Sequence, residues 1–294
     1  MKYVLYKKRE ISKLLVFPDS KANKYSRGYC IVVAGSHNYP GAAYLTCRAS
    51  EKSGSGYTML YTNRTNVRNL SIKLITVPVK QYSKIYDLKS FDSAKSKPMA
   101  FVIGPGFVPG SESSNKWVNF ALRCVDAPVL IDGGGLSAFD SKECRFALKD
   151  RASKKNSTVL TPHLGEAVRL YNSLSPNKIS AKTISEQDLC VELARLTSSI
   201  VVLKGPNTYI CDSKKLYVMK QGSAALAKAG TGDVLAGIIG GIMSQGKISV
   251  FDCCVLATNI HAYAGLFAAK DLGEISVCAT DVLNYIPNAF MYFC

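Results

Sequence analysis

Short runs of β-branched and aliphatic residues alternate with stretches of helical period along most of this 294-residue chain, and the runs stop at glycine or small polar residues. This alternation constrains the fold more than any other feature, because parallel strands need a long crossover, usually a helix, to join them. Residues 31–34 read as a buried strand that ends at Gly35-Ser36, and residues 42–53 as the helix that follows, closed by Gly54-Ser55-Gly56. Further strands at 57–61, 101–103, 129–131, 159–160 and 200–203 are expected. The last four run into Gly104-Pro105-Gly106, Asp132-Gly133-Gly134-Gly135, Thr161-Pro162-His163 and Lys204-Gly205-Pro206-Asn207-Thr208. In open α/β sheets the ligand crevice lies beyond the carboxyl ends of the strands, so these loops are where chemistry is expected. Ser185 and Asp188 mark a helix start, residues 209–219 a hairpin broken by Asp212-Ser213-Lys214-Lys215, and residues 251–272 and 280–289 two more helices.

The charge balance is basic, 37 Lys and Arg against 21 Asp and Glu for a net +16. Such a field suits a polyanionic ligand, and the lysines lie in short scattered runs without the aromatic spacing of a nucleic-acid binder. We therefore expect no nucleic-acid partner. Ten cysteines show no C-x-x-C pair and the chain has three histidines, which makes a zinc site improbable and a reducing cytoplasm the natural compartment. No signal peptide is visible at 1–10, and the apolar run at 234–243 is short of the ~20 residues of a membrane span, so no membrane partner is expected.

The most informative tetrad is Gly230-Thr231-Gly232-Asp233, followed by Val234, Leu235, Ile238, Ile239, Ile242 and Met243 at helical spacing. A glycine-rich turn at a helix start offers free amides and the positive end of the dipole to an anion. Asp233 has two readings. It is a helix cap, or it is a general base that takes a proton from a hydroxyl attacking a phosphoryl group while the amides neutralise that group. No G-x-x-x-x-G-K-[ST] and no strand-following G-x-G-x-x-G is present. Lys204 reads as a solvated cation or a phosphate ligand, His163 as a cap neighbour or a binding residue, and Glu166 as a first-turn carboxylate on the helix dipole. Ala43 and Gly106 permit close approach; His261 and Trp117 read as structural.

Six ordered motifs carry a resemblance across residues 28–290: Ala34-Gly35-Ser36 through Tyr39-Pro40-Gly41-Ala42-Ala43, Ser53-Gly54-Ser55-Gly56, Gly104-Pro105-Gly106, Thr161-Pro162-His163-Leu164-Gly165-Glu166, Leu203-Lys204-Gly205, and Gly230-Thr231-Gly232-Asp233-Val234-Leu235-Ala236-Gly237. With them the chain resembles the ADP- or ATP-dependent NAD(P)H-hydrate dehydratases of the ribokinase-like superfamily. The resemblance implies a three-layer α/β/α fold around a mostly parallel sheet, with residues 28–294 as the dehydratase domain and residues 1–27 as an extension of the same domain. It implies repair of hydrated NADH or NADPH, acting on the S-epimer, with ADP or ATP as co-substrate and Mg2+ accompanying the nucleotide. On this resemblance Asp233 is the catalytic base and also meets the substrate. Lys204, Gly205, Pro206, Asn207, Thr208 and Gly232 bind the nucleotide; Gly230 and Thr231 complete the anion loop; Ala43, Gly106 and His163 meet the hydrated dinucleotide.

The chain departs from the family at Gly134, where the usual D-A-D-A-L pattern has a second carboxylate, at Ala229 for glycine and at Leu164 for proline. About 27 residues precede the first motif, too few for the epimerase domain that many members carry, so the partner epimerase is expected on a separate chain. Stand-alone members imply ADP as donor, and the family implies a homo-oligomer, a tetramer. Two rivals remain: another ribokinase-like small-molecule kinase, which would share the loop and base, and a non-catalytic nucleotide- or RNA-binding protein drawn from the +16 charge.

Overall fold

The computed structural model describes residues 2–74, 76–81 and 97–294. Ten strands form one sheet: β1 Lys2–Tyr3, β2 Tyr29–Val33, β3 Tyr57–Thr62, β4 Val79–Gln81, β5 Met99–Ile103, β6 Val129–Ile131, β7 Thr158–Leu160, β8 Ile200–Leu203, β9 Thr208–Cys211 and β10 Lys215–Met219. Their spatial order is β1-β10-β9-β8-β7-β6-β5-β2-β3-β4. Among the described residues only the β8–β9 and β9–β10 pairs are antiparallel; the expected hairpin is there, and the remaining pairs are parallel.

The central parallel strands β2, β5, β6, β7 and β8 are buried on both faces, as such a sheet requires. Cys30, Val32, Ala100, Val102, Leu130 and Val202 face one apolar layer, and Ile31, Val33, Phe101, Ile103, Ile131 and Leu203 face the other. The first layer is closed by α1 Lys8–Ser12, α2 Pro40–Lys52, α3 Arg64–Lys73, α8 Thr231–Met243, α9 Val250–Leu272 and α10 Ala279–Phe293. The second is closed by α4 Glu112–Cys124, α5 Lys142–Ser153, α6 Leu164–Leu174 and α7 Glu186–Thr197. The mostly parallel α/β sheet is the one expected from the alternation, and the three layers are those the resemblance implies.

Serine side chains set many of the helix starts. Ser111, Ser141, Ser185 and Ser249 each accept the amide three residues on, opening α4, α5, α7 and α9. The stretch after Asp132 is not an open loop as expected but a 3-10 helix, Gly133–Asp140. Residues 2–27 pack on the same core: β1 pairs with β10, Ile11 is 1% exposed, and Tyr6 Oη donates to Asp252 Oδ1 at 2.6 Å.

By length and composition α9 would also cross a membrane, a longer apolar element than the 234–243 run; 72% of its apolar window is buried inside the molecule, where it serves as a core helix. Helix α8 lies close against α2. A side chain at Gly237 would begin 2.3 Å from Thr46 O, so only a residue without Cβ lets the two backbones come this near. The placement of α8 fixes where its amino end points.

Candidate active site

Strands β2, β5, β6, β7 and β8 end side by side, and their carboxyl-end loops face the amino terminus of α8. Gly230 caps that helix at φ +93, where side chains are disfavoured, and a Cβ there would press on Leu45 and Ala279. Among the described residues the amides of Gly230, Gly232 and Asp233 meet no acceptor, which leaves them for a ligand. Thr231 is different. Its hydroxyl lies 2.7 Å from Leu226 O and 2.9 Å from Lys228 O, and its amide also donates to Lys228 O, so Thr231 shapes the turn and keeps its donors there.

The carboxylate of Asp233 makes no hydrogen bond among the described residues, so it does not act as the cap that one reading of the sequence allowed. Its pKa is raised to about 7, chiefly by burial and also by Asp132, with Lys204 opposing the rise. A carboxylate that holds its proton until near neutrality suits general-base work at that pH. Its main-chain carbonyl lies 3.2 Å from Thr46 Oγ1, which ties the site to α2.

Lys204 follows β8, and its amide donates to Pro162 O at 2.9 Å across the end of β7. Its Nζ donates to Asp132 Oδ1 at 2.7 Å, and Thr161 Oγ1 donates to the same oxygen at 2.6 Å. Asp132 is 3% exposed. Burial works against the charge of Lys204, yet the carboxylates of Asp132, Glu166 and Asp233 raise its pKa above the ordinary lysine value. A Cβ at Gly232 would lie 3.3 Å from Lys204 Nζ, so the ammonium and the anion loop adjoin. Sequence inspection singled out Lys204 and the loop but not Asp132 and Thr161 as their partners. The signal available was their position at the ends of strands that the fold sets side by side.

The other expected site residues are placed as follows. Gly205, Pro206 and Asn207 are exposed in the turn between β8 and β9, beside Lys204, and Thr208 opens β9. Gly106 has φ +67 and touches the start of α2, where its Cβ would lie 2.6 Å from Ala42 Cβ. Ala43, in the first turn of α2, is completely buried, and a Cβ on Gly35 would lie 3.0 Å from its own Cβ. His163 is the N-cap of α6: Nδ1 accepts the amides of Gly165 and Glu166, while Glu166 Oε2 accepts the His163 amide at 2.9 Å. Glu166 is thus a first-turn capping carboxylate, as expected, and the outer edge of the imidazole remains exposed. His261, set aside as structural, lies under the anion loop. Burial pushes its pKa down to about 4, against the opposing effect of a hydrogen bond with the Thr231 main chain, so it is neutral at pH 7.

No side chain fits at Gly134, because a Cβ there would sit 2.2 Å from Phe107 O. The missing second carboxylate is therefore replaced by direct packing of the Gly104–Phe107 turn on the 3-10 helix. Among the described residues no group of three or more His, Cys, Asp or Glu side chains is placed to hold a metal ion.

Residues 30–288 match the NAD(P)H-hydrate dehydratase family. The chain is 30% identical over 284 residues to the Bifunctional NAD(P)H-hydrate repair enzyme Nnr of Thermofilum pendens, covering 92% of this chain and 51% of the relative. The chain spans about half the length of the curated relatives it matches first. It is 28% identical over 292 residues to the ADP-dependent (S)-NAD(P)H-hydrate dehydratase of Cenarchaeum symbiosum, covering 97% of this chain and 96% of that one. Among solved structures it is similar to the ADP/ATP-dependent NAD(P)H-hydrate dehydratase of Bacillus subtilis co-crystallized with ATP/Mg2+, with a TM-score of 0.80, 24% identity and 98% coverage of both chains.

Proposed function

The chain belongs to the NAD(P)H-hydrate dehydratase family, and on that footing we propose that it restores NADH or NADPH from their S-epimeric hydrates, converting ADP to AMP and phosphate. The observation that carries this is the Asp233 carboxylate, free of hydrogen bonds and held near neutrality, set between three open amides and the Lys204 ammonium. Asp233 takes the proton of the ring hydroxyl as that oxygen attacks the terminal phosphorus of the nucleotide. The bond from phosphorus to the AMP oxygen breaks, and the amides and Lys204 offset charge on the transferred group. Phosphate then leaves with the carbon–oxygen electron pair, a neighbouring ring carbon loses a proton, and the double bond returns. Hydroxide is a poor leaving group at neutral pH, which is why a kinase-like loop serves a lyase.

Within this proposal Ala43, Gly106 and His163 meet the dinucleotide, and the turn Gly205, Pro206, Asn207 and Thr208 meets the nucleotide. The name of the Cenarchaeum relative supports ADP as donor. A magnesium ion fits as a companion of the phosphates, since Mg2+ keeps several waters and takes few protein ligands, and bound there it would neutralise phosphate charge. The substrate's other epimer needs a partner epimerase, which we place on a separate chain. A cytoplasmic homotetramer completes the proposal; free cysteines such as Cys30, Cys47 and Cys254 support a reducing compartment, and the exposed apolar Ile275 and Met291 would be covered by a subunit contact.

The test is recovery of reduced-nicotinamide absorbance from hydrated NADH with ADP or ATP, together with analysis of products. We expect reduced dinucleotide, AMP and phosphate. A stable phosphorylated product would instead identify a small-molecule kinase.

A further inference from the structure

Asp132, Thr161 and Lys204 stand at the ends of three adjacent strands, β6, β7 and β8. Lys204 reaches across β7 to place Nζ 2.7 Å from Asp132 Oδ1, and the Thr161 hydroxyl, on the strand between, donates to that same oxygen at 2.6 Å. A carboxylate at 3% exposure has lost most of its water, and these two donors replace it. A lysine side chain turns about four single bonds, so an ammonium stays at one point only if something holds it there. The point in question is 3.3 Å from where a side chain on Gly232 would begin.

We propose that Asp132 is a positioning residue: anchored by Thr161, its carboxylate holds the Lys204 ammonium beside Gly232 and, with it, sets the charge that Asp233 faces. This rests on the dehydratase reading for the reaction that Asp233 serves, but not for the geometry. The groups facing Asp233 can be named from each side. Asp132 and Lys204 come from the strand ends, and Glu166 of α6 acts on Lys204. His261 of α9 meets the Thr231 main chain as a neutral ring, and the Thr46 hydroxyl of α2 meets the Asp233 main-chain carbonyl. The two members of the ion pair therefore push Asp233 in opposite directions, which a merely structural pair far from the loop would not do.

The experiment is carbon-13 NMR titration of the aspartate carboxyls in the full chain, with Asp233→Asn assigning the signal. Asp132→Asn should lower the Asp233 midpoint by about half a pH unit or more, and Lys204→Met should raise it by about as much, from the signs of the charges removed. In turnover of hydrated NADH with ADP, the acid limb of kcat/KM should move with the same signs. The nucleotide KM should rise about fivefold in Asp132→Asn, with a smaller change for the dinucleotide, because Lys204 is no longer held. An unmoved Asp233 midpoint in a folded Asp132→Asn chain overturns the proposal. Should that variant fail to fold, Thr161→Val keeps the charge and removes only the anchor: it should raise the nucleotide KM, and an unchanged nucleotide KM also overturns the proposal. If the wild-type chain does not turn over hydrated NADH while the opposite-signed titration shifts persist, the dehydratase reading fails and the positioning role stands.

Discussion

Asp233 shows how a single carboxylate acquires a task from its surroundings. Its raised pKa has a consequence for stability as well as for rate. The folded chain holds this proton more tightly than the unfolded one, so the contribution is fully present below about pH 4 and is lost as pH rises through about 7. Asp233→Asn is therefore expected to lose turnover by more than ~100-fold while keeping nucleotide binding, and to melt at a higher temperature than the wild type at pH 7 but not at pH 4. Single-turnover assays and thermal melts at the two pH values check this; a variant retaining more than about a tenth of the rate would remove Asp233 as base. The wild-type kcat/KM should fall as pH drops below about 7, where Asp233 takes up its proton. Lys204→Ala is expected to weaken the nucleotide more than the dinucleotide, by about tenfold if the ammonium meets phosphate as a point charge. Titration of each ligand decides, and equal weakening would assign Lys204 to the common crevice.

At the scale of elements, strand ends need holding on the side away from the site as well as at it. Arg151 in α5 is 1% exposed and spends its guanidinium on the carbonyls of Val125, Ala127 and Ser157 and on Thr158 Oγ1, clamping the segments that enter β6 and β7. Burial pushes its pKa down to about 10 against the opposing charge of Asp126, so the arginine is still charged at pH 7. Ser157 O also accepts the Val129 amide, so Arg151→Met would take the guanidinium donors from the Val125 and Ala127 carbonyls, at a cost of about 2 kcal/mol or more. Urea unfolding measures it directly; a loss below about 1 kcal/mol would mean that water replaces the guanidinium.

For the whole molecule the relevant quantity is the +16 net charge. Both proposed ligands are polyanions entering one crevice, so a positive field speeds their encounter, although exposed charges are screened beyond roughly 8 Å at physiological ionic strength. Raising salt from low to physiological levels is thus expected to change kcat/KM by less than about tenfold and to leave kcat nearly constant. Single-stranded RNA should not compete. Inhibition by RNA below the dinucleotide concentration would assign the basic surface to nucleic acid, whatever the catalytic site does.

Much of this was legible one residue after another. The alternation of strand and helix periods, the hairpin at 209–219, the glycine turn that opens α8, and Lys204 at a strand end all depend on neighbours along the chain, and the ribokinase-like fold bears them out. What the sequence could not determine is which strand ends lie together and how much water each side chain keeps. Asp132 and Lys204 meet across 72 positions, Gly237 is a glycine because Thr46 O is there, and Ala43 packs against Gly35 with its side chain buried. His261 changed from a core histidine into the floor of the anion loop only when α9 packed under α8. Periodicity is a property of neighbouring residues, whereas desolvation and Coulomb energy depend on distance in space, so the protonation of Asp233 is decided only by the tertiary structure.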